Sequence, residues 1–396
     1  MSQSIETQSI ETPAEVAAFR SLFPGLERTA HLANNSKGAL SRPVIEAHEE
    51  YLRSWQEHGS PWHDWVDRHE RLRERFATMI GAQVHEVALC ASVTAGLASL
   101  ASALDWSGSR NALVFDDYSF PSVAYLWHAQ AGYGAQIRRV APDAAGEITP
   151  DAFVPALDEH SRLLSVSHVC YKNGHRLDLP AIADRAHAVG AWFVVDDYQC
   201  SGSRALDVRT AGIDVLTTGT VKFLLGSPGV AFLYVAEELL TDLHPRLTGW
   251  FAQQNPDDFQ IDAHIEAAAA TRFQLGTPAI PSIYDSLAGL ELILSVGLEP
   301  IGVWIATLSA RLMDRLDEEG FVPATPRDPA KRGPQVAVRV KPGQMNAAVA
   351  HLASRDVVVS SRDDNLRCAF HYYNTFDDIE ALIAGLRAIA PLLERA

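Results

Sequence analysis

The sequence predicts an α/β protein with a mostly parallel sheet covered by helices, followed by a smaller α+β part. Apolar runs of strand length alternate with helical stretches between residues 86 and 235. These runs are continuously apolar, as in parallel strands that are buried on both faces. Beyond Asp262 the pattern changes to long helices around short strands. We therefore expect a tail and N-terminal segment at residues 1–30, a large domain at 31–262 and a small α+β domain at 263–396.

The individual elements follow from local patterns along the chain. Residues 44–80 repeat apolar and charged positions with helical spacing, which predicts a helical region. Strands are predicted at Glu86–Cys90, Ala112–Phe115, Leu163–Val169, Trp192–Asp196, Val215–Thr217 and Val230–Val235, with helices such as Leu179–Val189 between several of them. In the last part, helices are predicted at about 282–319 and 377–394, and strands near 335–340 and 356–360. The polar doublet Ser4-Ile-Glu-Thr7 and Ser9-Ile-Glu-Thr12 indicates a disordered tail.

Composition restricts the possible classes of function. The net charge of −16 argues against a nucleic-acid or anionic-membrane partner, because no basic stripe offsets it. The scattered cysteines form no C-x-x-C pair, so neither a disulfide framework nor a metal site is expected. No apolar run is long enough to span a bilayer, and the N-terminus has no basic region followed by an apolar stretch. We therefore expect a cytoplasmic protein without a membrane partner.

Lys222 is the residue with the clearest chemical meaning. Only five of the 33 basic residues are lysines, and Lys222 alone lies between two apolar runs, joined by a turn at residues 226–229. A buried ammonium is costly unless it is paired or loses its charge. A desolvated lysine is an amine nucleophile that can form a Schiff base. The alternative is a lysine whose stem is buried while its ammonium reaches water at a strand end.

Three other features sit where strands of the predicted sheet end. Asp196 directly follows an apolar strand, residues 91–96 precede a helix with small and hydroxyl-bearing residues, and Phe120 follows the strand at 112–115. Each could simply cap a turn, cap a helix or fill the core. Ligands in open α/β sheets bind at the carboxyl ends of the strands. A lysine, an acid, a helix N-terminus for a phosphate and an aromatic ring are together what pyridoxal 5'-phosphate requires.

The chain resembles the class V aminotransferase family of pyridoxal-phosphate enzymes, which includes cysteine desulfurases, kynureninases and isopenicillin N epimerase-like proteins. The resemblance covers roughly residues 30–390. Its matching stretches are Thr94–Gly96, Ser167–Val169, Val195–Gln199, Val221–Gly226, Gly229–Val235, Arg272–Pro278 and Arg367–Thr375. The resemblance implies the pyridoxal-phosphate-dependent transferase fold of type I.

The resemblance also implies how the cofactor ring is held. Lys222 matches the lysine that forms the aldimine with the cofactor. Asp196 matches the acid that pairs with the pyridine nitrogen, and Gln199 the group near the ring hydroxyl. Phe120 lies where the family stacks an aromatic residue or a histidine on the ring.

The cofactor phosphate has a second set of implied contacts. Thr94 and Ala95 match the phosphate-binding segment, and Thr218 and Thr220 supply the nearest further hydroxyls. Thr277 matches a residue that reaches the phosphate of the neighbouring subunit. The resemblance therefore implies a homodimer with shared active sites.

The implied substrate is a free amino acid. Arg367 matches the arginine that binds the substrate α-carboxylate, a task that suits the bidentate geometry of a guanidinium. Asn34 and Asn35 lie where the N-terminal segment of the family reaches the substrate. Tyr171 stands where desulfurases carry an asparagine, either as a proton donor or as a packing residue.

Departures from the family pattern affect the expected reaction. The segment 359–367 lacks the reactive cysteine of desulfurases, which disfavours persulfide transfer to a partner. Val221 replaces a histidine that precedes the lysine in many relatives, and Thr277 lies near an asparagine position of kynureninases. A lyase that cleaves a C–S or C–C bond of the side chain is the favoured function. An aminotransferase, an epimerase and a non-catalytic cofactor-binding protein are the alternatives.

Overall fold

The computed structural model describes residues 12–395. Its strands are β1 (Ala30–His31), β2 (Val87–Cys90), β3 (Ala112–Asp116), β4 (Gln136–Val140), β5 (Ser161–Ser167), β6 (Trp192–Asp196), β7 (Val215–Gly219), β8 (Ala231–Val235), β9 (Gln335–Arg339), β10 (Val357–Val358), β11 (Ser360–Arg362) and β12 (Asn365–Ala369). Its helices are α1 (Ala14–Arg20), α2 (Arg42–His58), α3 (Trp62–Ile80), α4 (Val93–Ala103), α5 (Pro121–Ala129), α6 (Leu179–Ala188), α7 (Glu237–Leu240), α8 (Ile280–Val296), α9 (Leu298–Glu318), α10 (Met345–Ala353) and α11 (Phe376–Ala388).

A seven-stranded sheet forms the centre of the molecule, with the strand order β2-β8-β7-β6-β5-β3-β4. Neighbouring strands from β4 to β7 are parallel, and β8 runs antiparallel to both β7 and β2. Consecutive residues of β6 alternate between two hydrophobic cores: Phe193 and Val195 belong to one core and Val194 to the other. Each face of the sheet is therefore covered by apolar side chains, which confirms the predicted α/β class with a mostly parallel sheet.

The predicted strands are all present, but the prediction missed β4 at the edge of the sheet. Its sequence Gln136–Val140 carries two adjacent arginines and only its last residue is buried. A strand at a solvated edge needs no continuous apolar run, so the pattern that found the central strands could not find this one.

Two helical regions are broken where one continuous stretch was predicted. The region 44–80 consists of α2 and α3, separated at Gly59, which has a φ of 70°. The region 282–319 consists of α8 and α9, which are bent by 83° at their junction around Gly297. No single helix within residues 12–395 has the length and apolar character to cross a membrane, and α8 with α9 meets that criterion only as this bent pair.

A second, antiparallel sheet has the strand order β11-β12-β9. The N-terminal segment joins this part of the molecule, because β1 pairs in parallel with β10 and Ala33 forms a bridge with Ala369. Phe19 of α1 also packs on Tyr372, with 5.2 Å between their ring centroids. The proposed boundaries at residues 30 and 262 stay predictions, and the polar doublet lies outside the described residues except for Thr12.

Candidate active site

Lys222 lies in the connection between β7 and β8. Backbone hydrogen bonds and the Thr220 hydroxyl hold this connection, because Gly226 N–H donates to the Thr220 carbonyl at 2.9 Å and Thr220 Oγ1 donates to the Ser227 carbonyl at 2.8 Å. The Lys222 side chain is half-buried and lines a cavity of about 350 Å³. Burial lowers the pKa of Lys222 to about 8, although the nearby Asp196 opposes this shift.

The cavity lies at the carboxyl ends of β2, β3, β5 and β6. Asp196 is the last residue of β6 and is 8% exposed. Its Oδ1 accepts a hydrogen bond from the Tyr198 N–H at 3.0 Å. Burial raises the pKa of Asp196 to about 6, while this hydrogen bond and the charge of Lys222 limit the rise. The predicted lysine and acid therefore meet in one cavity, each with a pKa moved towards neutrality.

Aromatic rings surround the Lys222 amine on two sides. Its Nζ lies 3.9 Å from the centroid of the Tyr198 ring and 5.9 Å from that of Phe120. Phe120 is 39% exposed at the start of α5, and its ring meets the Tyr171 ring edge-on at 5.3 Å. An aromatic face open to the cavity is suited to stacking on a flat ligand. The sequence pattern did not predict the short distance from Tyr198 to Lys222.

The N-terminus of α4 forms another wall of the cavity. Ser92 caps this helix by accepting a hydrogen bond from the Ala95 N–H at 3.1 Å. Ser92 and Thr94 are exposed and line the cavity, as does Ser122 of α5. A helix N-terminus with hydroxyl groups beside it favours an anion such as phosphate. Of the two residues predicted here, Thr94 lines this cavity and Ala95 lines a neighbouring one, whereas Ser122 was not predicted.

Gln199 connects the cavity to the N-terminal segment. Its Nε2 donates to the backbone carbonyl of Asn35 at 3.3 Å, and its buried Oε1 has no partner within the described part of the chain. The Asn35 side chain instead bonds to the C-terminal part, donating to Gln335 Oε1 at 2.5 Å and accepting from Ser360 Oγ at 2.9 Å. Asn35 therefore lines the cavity while its amide holds the second sheet in place.

Several predicted site residues do not line this cavity. Asn34 is fully buried, and its Oδ1 accepts from the Tyr373 hydroxyl at 2.5 Å. The Thr220 hydroxyl is used in its own loop, whereas the buried Thr218 Oγ1 has no partner in residues 12–395. Thr277 lines a neighbouring cavity of about 170 Å³. The cofactor or substrate roles of these four residues stay predictions, as do those of the predicted residues that line the cavity.

Arg367 and Arg362 place two guanidinium groups at the cavity. Arg367 is 2% exposed, and its Nη1 donates to the Tyr171 carbonyl at 2.6 Å. Its buried Nε has no partner among the described residues, and the nearby Asp363 pairs with Lys172 instead, at 2.8 Å. Burial and the charge of Arg362 lower the pKa of Arg367 to about 10. Arg367 is therefore available for a ligand carboxylate, and Arg362 is a neighbour that the prediction missed.

A buried polar cluster supports the turn after β6. His168, Asp197 and Cys200 each offer a possible metal ligand within 4.8 Å of the others. Asp197 Oδ1 lies 2.6 Å from His168 Nδ1, and its other oxygen accepts from the Ser201 hydroxyl, so hydrogen bonds already satisfy this carboxylate. Burial lowers the pKa of His168, but Cys200 and Asp197 outweigh it and raise the pKa to about 9. His168 N–H also donates to the Asp196 carbonyl at 3.0 Å, which anchors the turn.

A desolvated lysine beside an acid, an aromatic face and a helix N-terminus define a lysine-dependent enzyme that carries pyridoxal phosphate. The chain belongs to the class V aminotransferase family, since the family model described as aminotransferase class-V matches residues 31–382. This family membership confirms the resemblance inferred from the sequence, and the protein is a pyridoxal-phosphate-dependent enzyme.

Relatives in two bacteria cover nearly the whole chain. The chain is 34% identical over 370 residues to the uncharacterized aminotransferase YcbU of Bacillus subtilis, covering 93% of this chain and 97% of that protein. It is 33% identical over 384 residues to a kynureninase of Deinococcus radiodurans, covering 92% of this chain and 90% of that protein. Sequence similarity alone thus connects the chain to two differently named activities.

Solved structures show the same fold at lower sequence identity. The apo cysteine desulfurase of Thermococcus onnurineus NA1 has a TM-score of 0.86 at 22% identity, covering 97% of this chain and 99% of that one. A mutant of C-DES with glycine covalently linked to its pyridoxal-phosphate cofactor has a TM-score of 0.85 at 22% identity, covering 95% of this chain and 99% of that one. The predicted fold type I is therefore confirmed.

The cavity residues of this chain fit the cofactor. Lys222 offers the amine for its carbonyl carbon, Asp196 a carboxylate for its ring nitrogen and Phe120 an open aromatic face. The buried Oε1 of Gln199 and Nε of Arg367 lack partners within residues 12–395, which is expected for groups that bind a ligand. The cavity thus holds an amine, a carboxylate, an aromatic face and unpartnered polar atoms that suit this cofactor.

The rate of cofactor incorporation into the cofactor-free protein is expected to rise with pH and to level off above about 8, the pKa of Lys222. Only the neutral amine attacks a carbonyl carbon, and its fraction grows until the pH exceeds this pKa. Because Arg362 also lowers the pKa of Lys222, Arg362→Gln should move the midpoint to higher pH. Visible absorbance of the bound cofactor, followed over time at each pH, measures both effects. An unchanged midpoint in Arg362→Gln, with the exposed Arg339→Gln as control, would contradict this assignment.

Gly219→Ala is expected to displace the Tyr198 ring from Lys222. A Cβ at position 219 would lie 2.4 Å from Tyr198 Cζ, which is too close for the ring to stay in place. Such overpacking should lower the free energy of unfolding by about 1–3 kcal/mol, measured by urea denaturation. The matched control is Gly108→Ala, where a Cβ meets nothing within 4 Å. If both variants unfold at the same urea concentration, the close packing of Gly219 and Tyr198 does not exist in solution.

Proposed function

We propose that the protein is a lyase that cleaves a C–S or C–C bond in the side chain of a free amino acid. Bound pyridoxal phosphate supplies an electron sink for the chemistry at Cα. Arg367 binds the substrate carboxylate, and Lys222 moves the Cα proton, since its lowered pKa makes it a base near neutral pH. Tyr171 donates a proton to the departing side-chain fragment.

The position of Tyr171 carries this proposal. Its ring lies edge-on to Phe120 at 5.3 Å, and its backbone carbonyl accepts a hydrogen bond from Arg367 at 2.6 Å. The Tyr171 ring therefore lines the cavity next to Phe120, and its backbone contacts the arginine that we propose binds the substrate carboxylate. Burial raises the pKa of Tyr171, so the phenol keeps its proton at neutral pH. Transamination needs a base that carries the proton from Cα to the cofactor carbon, whereas expulsion of a side chain also needs a proton donor for the departing fragment.

The cysteines support release of the fragment rather than its capture as a persulfide. No cysteine is among the described residues that line the cavity around Lys222. Burial raises the pKa of Cys170 to about 11 and that of Cys368 to about 12, so neither is a thiolate at neutral pH. Cleavage of a C–S bond should then give a free thiol or sulfide, pyruvate and ammonia, with one water consumed. Hydrolytic C–C cleavage should give alanine and a carboxylic acid.

Turnover without any keto acid tests the proposal. The holoenzyme is supplied with amino acids that carry a leaving group on Cβ, such as cysteine, S-methylcysteine and β-benzoylalanine. Released fragment, ammonia, pyruvate and alanine are measured. Tyr171→Phe should lower fragment release about 10²–10⁴-fold, the usual contribution of a general acid. Exchange of the Cα proton with deuterated water should continue, because Lys222 remains.

Tyr198→Phe is the matched control, because it also removes a phenol hydroxyl from the cavity. Tyr198 lies against Lys222 rather than beside Arg367. If Tyr171→Phe releases fragment at the wild-type rate, Tyr171 is not the donor. If turnover requires an added keto acid, the protein is an aminotransferase, the second candidate, which its 34% identity to YcbU favours.

We further propose that the protein acts as a homodimer with shared sites. Thr277, the residue expected to reach the partner's cofactor, lines a cavity that shares Ala91 and Gly229 with the cavity around Lys222. The nearby loop exposes apolar side chains, with Phe259 at 72% and Ile261 at 96% exposure. Apolar surface of this kind is suited to burial against another chain. Light scattering of the holoenzyme should give twice the monomer mass, and a monomer with full activity would exclude shared sites.

A further inference from the structure

We propose that the protein has a second ligand site, separate from the cavity around Lys222, which binds a small molecule carrying a dianionic phosphate group. The site is a cavity of about 310 Å³ between the loop 203–205, the first turns of α9 and the segment 329–334. None of its lining residues also lines the cavity around Lys222. The segments around it come from the central sheet's loops and from the C-terminal part, so one ligand would contact both.

Three arginines, Arg176, Arg204 and Arg332, line this cavity and none is exposed. In the part of the chain that the structure describes, none of them forms an ion pair with a carboxylate. Arg176 is anchored, since its Nε donates to the Arg332 carbonyl at 3.3 Å. Burial lowers the pKa of Arg176, and the charge of Arg204 lowers it further, so the guanidinium groups repel each other. Although the chain has a net charge of −16, these three arginines thus bring positive charge together in one cavity.

An unpartnered buried hydroxyl at the same place indicates a missing ligand. Ser309 lies on α9, lines the cavity and is 2% exposed. Its Oγ has no hydrogen-bond partner within residues 12–395. Buried hydroxyls in proteins nearly always have a partner, and a phosphate oxygen would provide one. The first turn of α9 also lines the cavity, and a helix N-terminus favours an anion.

Helix α9 approaches the loop 203–205 closely at Gly302. Gly302 faces Arg204, and a Cβ at this position would lie 3.4 Å from Arg204 Cβ. Glu299 is the one carboxylate among the lining residues, and it is exposed to water. Asp328 also lies near Arg176 and Arg332 and offsets part of their charge, but it does not line the cavity and forms no ion pair with either arginine in the described part of the chain. A phosphate group carries two charges and several acceptor oxygens, which matches several guanidinium groups and one hydroxyl.

Calorimetric titration of the holoenzyme with inorganic phosphate tests this site. The bound cofactor fills the catalytic phosphate position, so added phosphate reports on other sites. We expect one phosphate bound per chain, with binding weakened about tenfold or more by Arg204→Gln and by Arg332→Gln. Ser309→Ala should weaken binding to a smaller degree. Glycerol phosphate serves as a second probe, and its affinity relative to phosphate distinguishes a phosphomonoester ligand from free phosphate.

Two variants act as controls for the position of binding. Arg28→Gln removes an exposed arginine elsewhere and should leave phosphate binding unchanged. Arg367→Gln removes the proposed substrate arginine and should also leave it unchanged, so the result does not depend on the catalytic proposal. Cofactor absorbance and circular dichroism verify that each variant is folded. Wild-type affinity in both Arg204→Gln and Arg332→Gln, or no binding of either probe by the wild type, would overturn the proposal.

Discussion

Lys222→Ala is expected to lose at least about 10⁴-fold in turnover, because one substitution removes both the nucleophile for the cofactor and the base for the Cα proton. The visible absorbance of the lysine-bound cofactor should also be lost. The fold should survive, since removing a half-buried lysine also removes its cost of desolvation. Borohydride reduction followed by peptide mapping should place the cofactor on the Lys222 peptide in the wild type and nowhere in the variant.

Lys341→Ala is a suitable control, because this lysine is exposed and, within residues 12–395, its Nζ donates only to the Pro391 carbonyl, at 2.9 Å. It should keep the absorbance and the activity of the wild type. A Lys222→Ala protein that is yellow and active would refute the assignment of the whole site. A folded, colourless Lys222→Ala protein beside a yellow wild type supports it.

Asp196→Asn is expected to lower turnover by about 10²–10³-fold, the range found when one charge-stabilising group is removed from an active site. The amide cannot hold a proton on the cofactor ring nitrogen, so the electron sink weakens. The variant should still bind the cofactor through Lys222 and should fold, since Asn preserves the acceptor for the Tyr198 N–H.

The pH dependence of cofactor affinity distinguishes the charge of Asp196 from its shape. Burial raises the pKa of this carboxyl to about 6 in the cofactor-free protein. The charged form exists above this pH and pairs with the protonated ring nitrogen, so the affinity should fall as the pH decreases through about 6. Because Lys222 titrates in both proteins, the ratio of wild-type to Asp196→Asn affinity isolates the carboxyl. A ratio that does not change between pH 5 and pH 7 would show that the charge makes no contribution.

The central residues of the site could be predicted because they follow strands. Apolar runs locate the parallel strands, and the ends of parallel strands meet at one edge of the sheet. Lys222 and Asp196 could therefore be placed together, and both line one cavity. Phe120 and Arg367 were placed with the help of the family resemblance, and both line the same cavity.

The remaining contacts depend on partners far away in the chain. The side chain of Asn34, a predicted substrate ligand, bonds to Tyr373 and to the Ala369 carbonyl, each more than 300 residues away. Arg362 lies at the cavity because the β11–β12 hairpin brings it there, and its sequence context is that of an ordinary polar turn. Local patterns give the position of a residue along an element, but they do not give its tertiary neighbours.

The hydrogen bonds of Asn35 have a mechanical consequence. Its side chain is tied to Gln335 and Ser360 of the second sheet, and its carbonyl receives the Gln199 amide at the cofactor cavity. Arg367 belongs to the same sheet. Any displacement of the second sheet relative to the cavity would strain the hydrogen bonds of Asn35, so these bonds couple the position of Arg367 to that of Gln199.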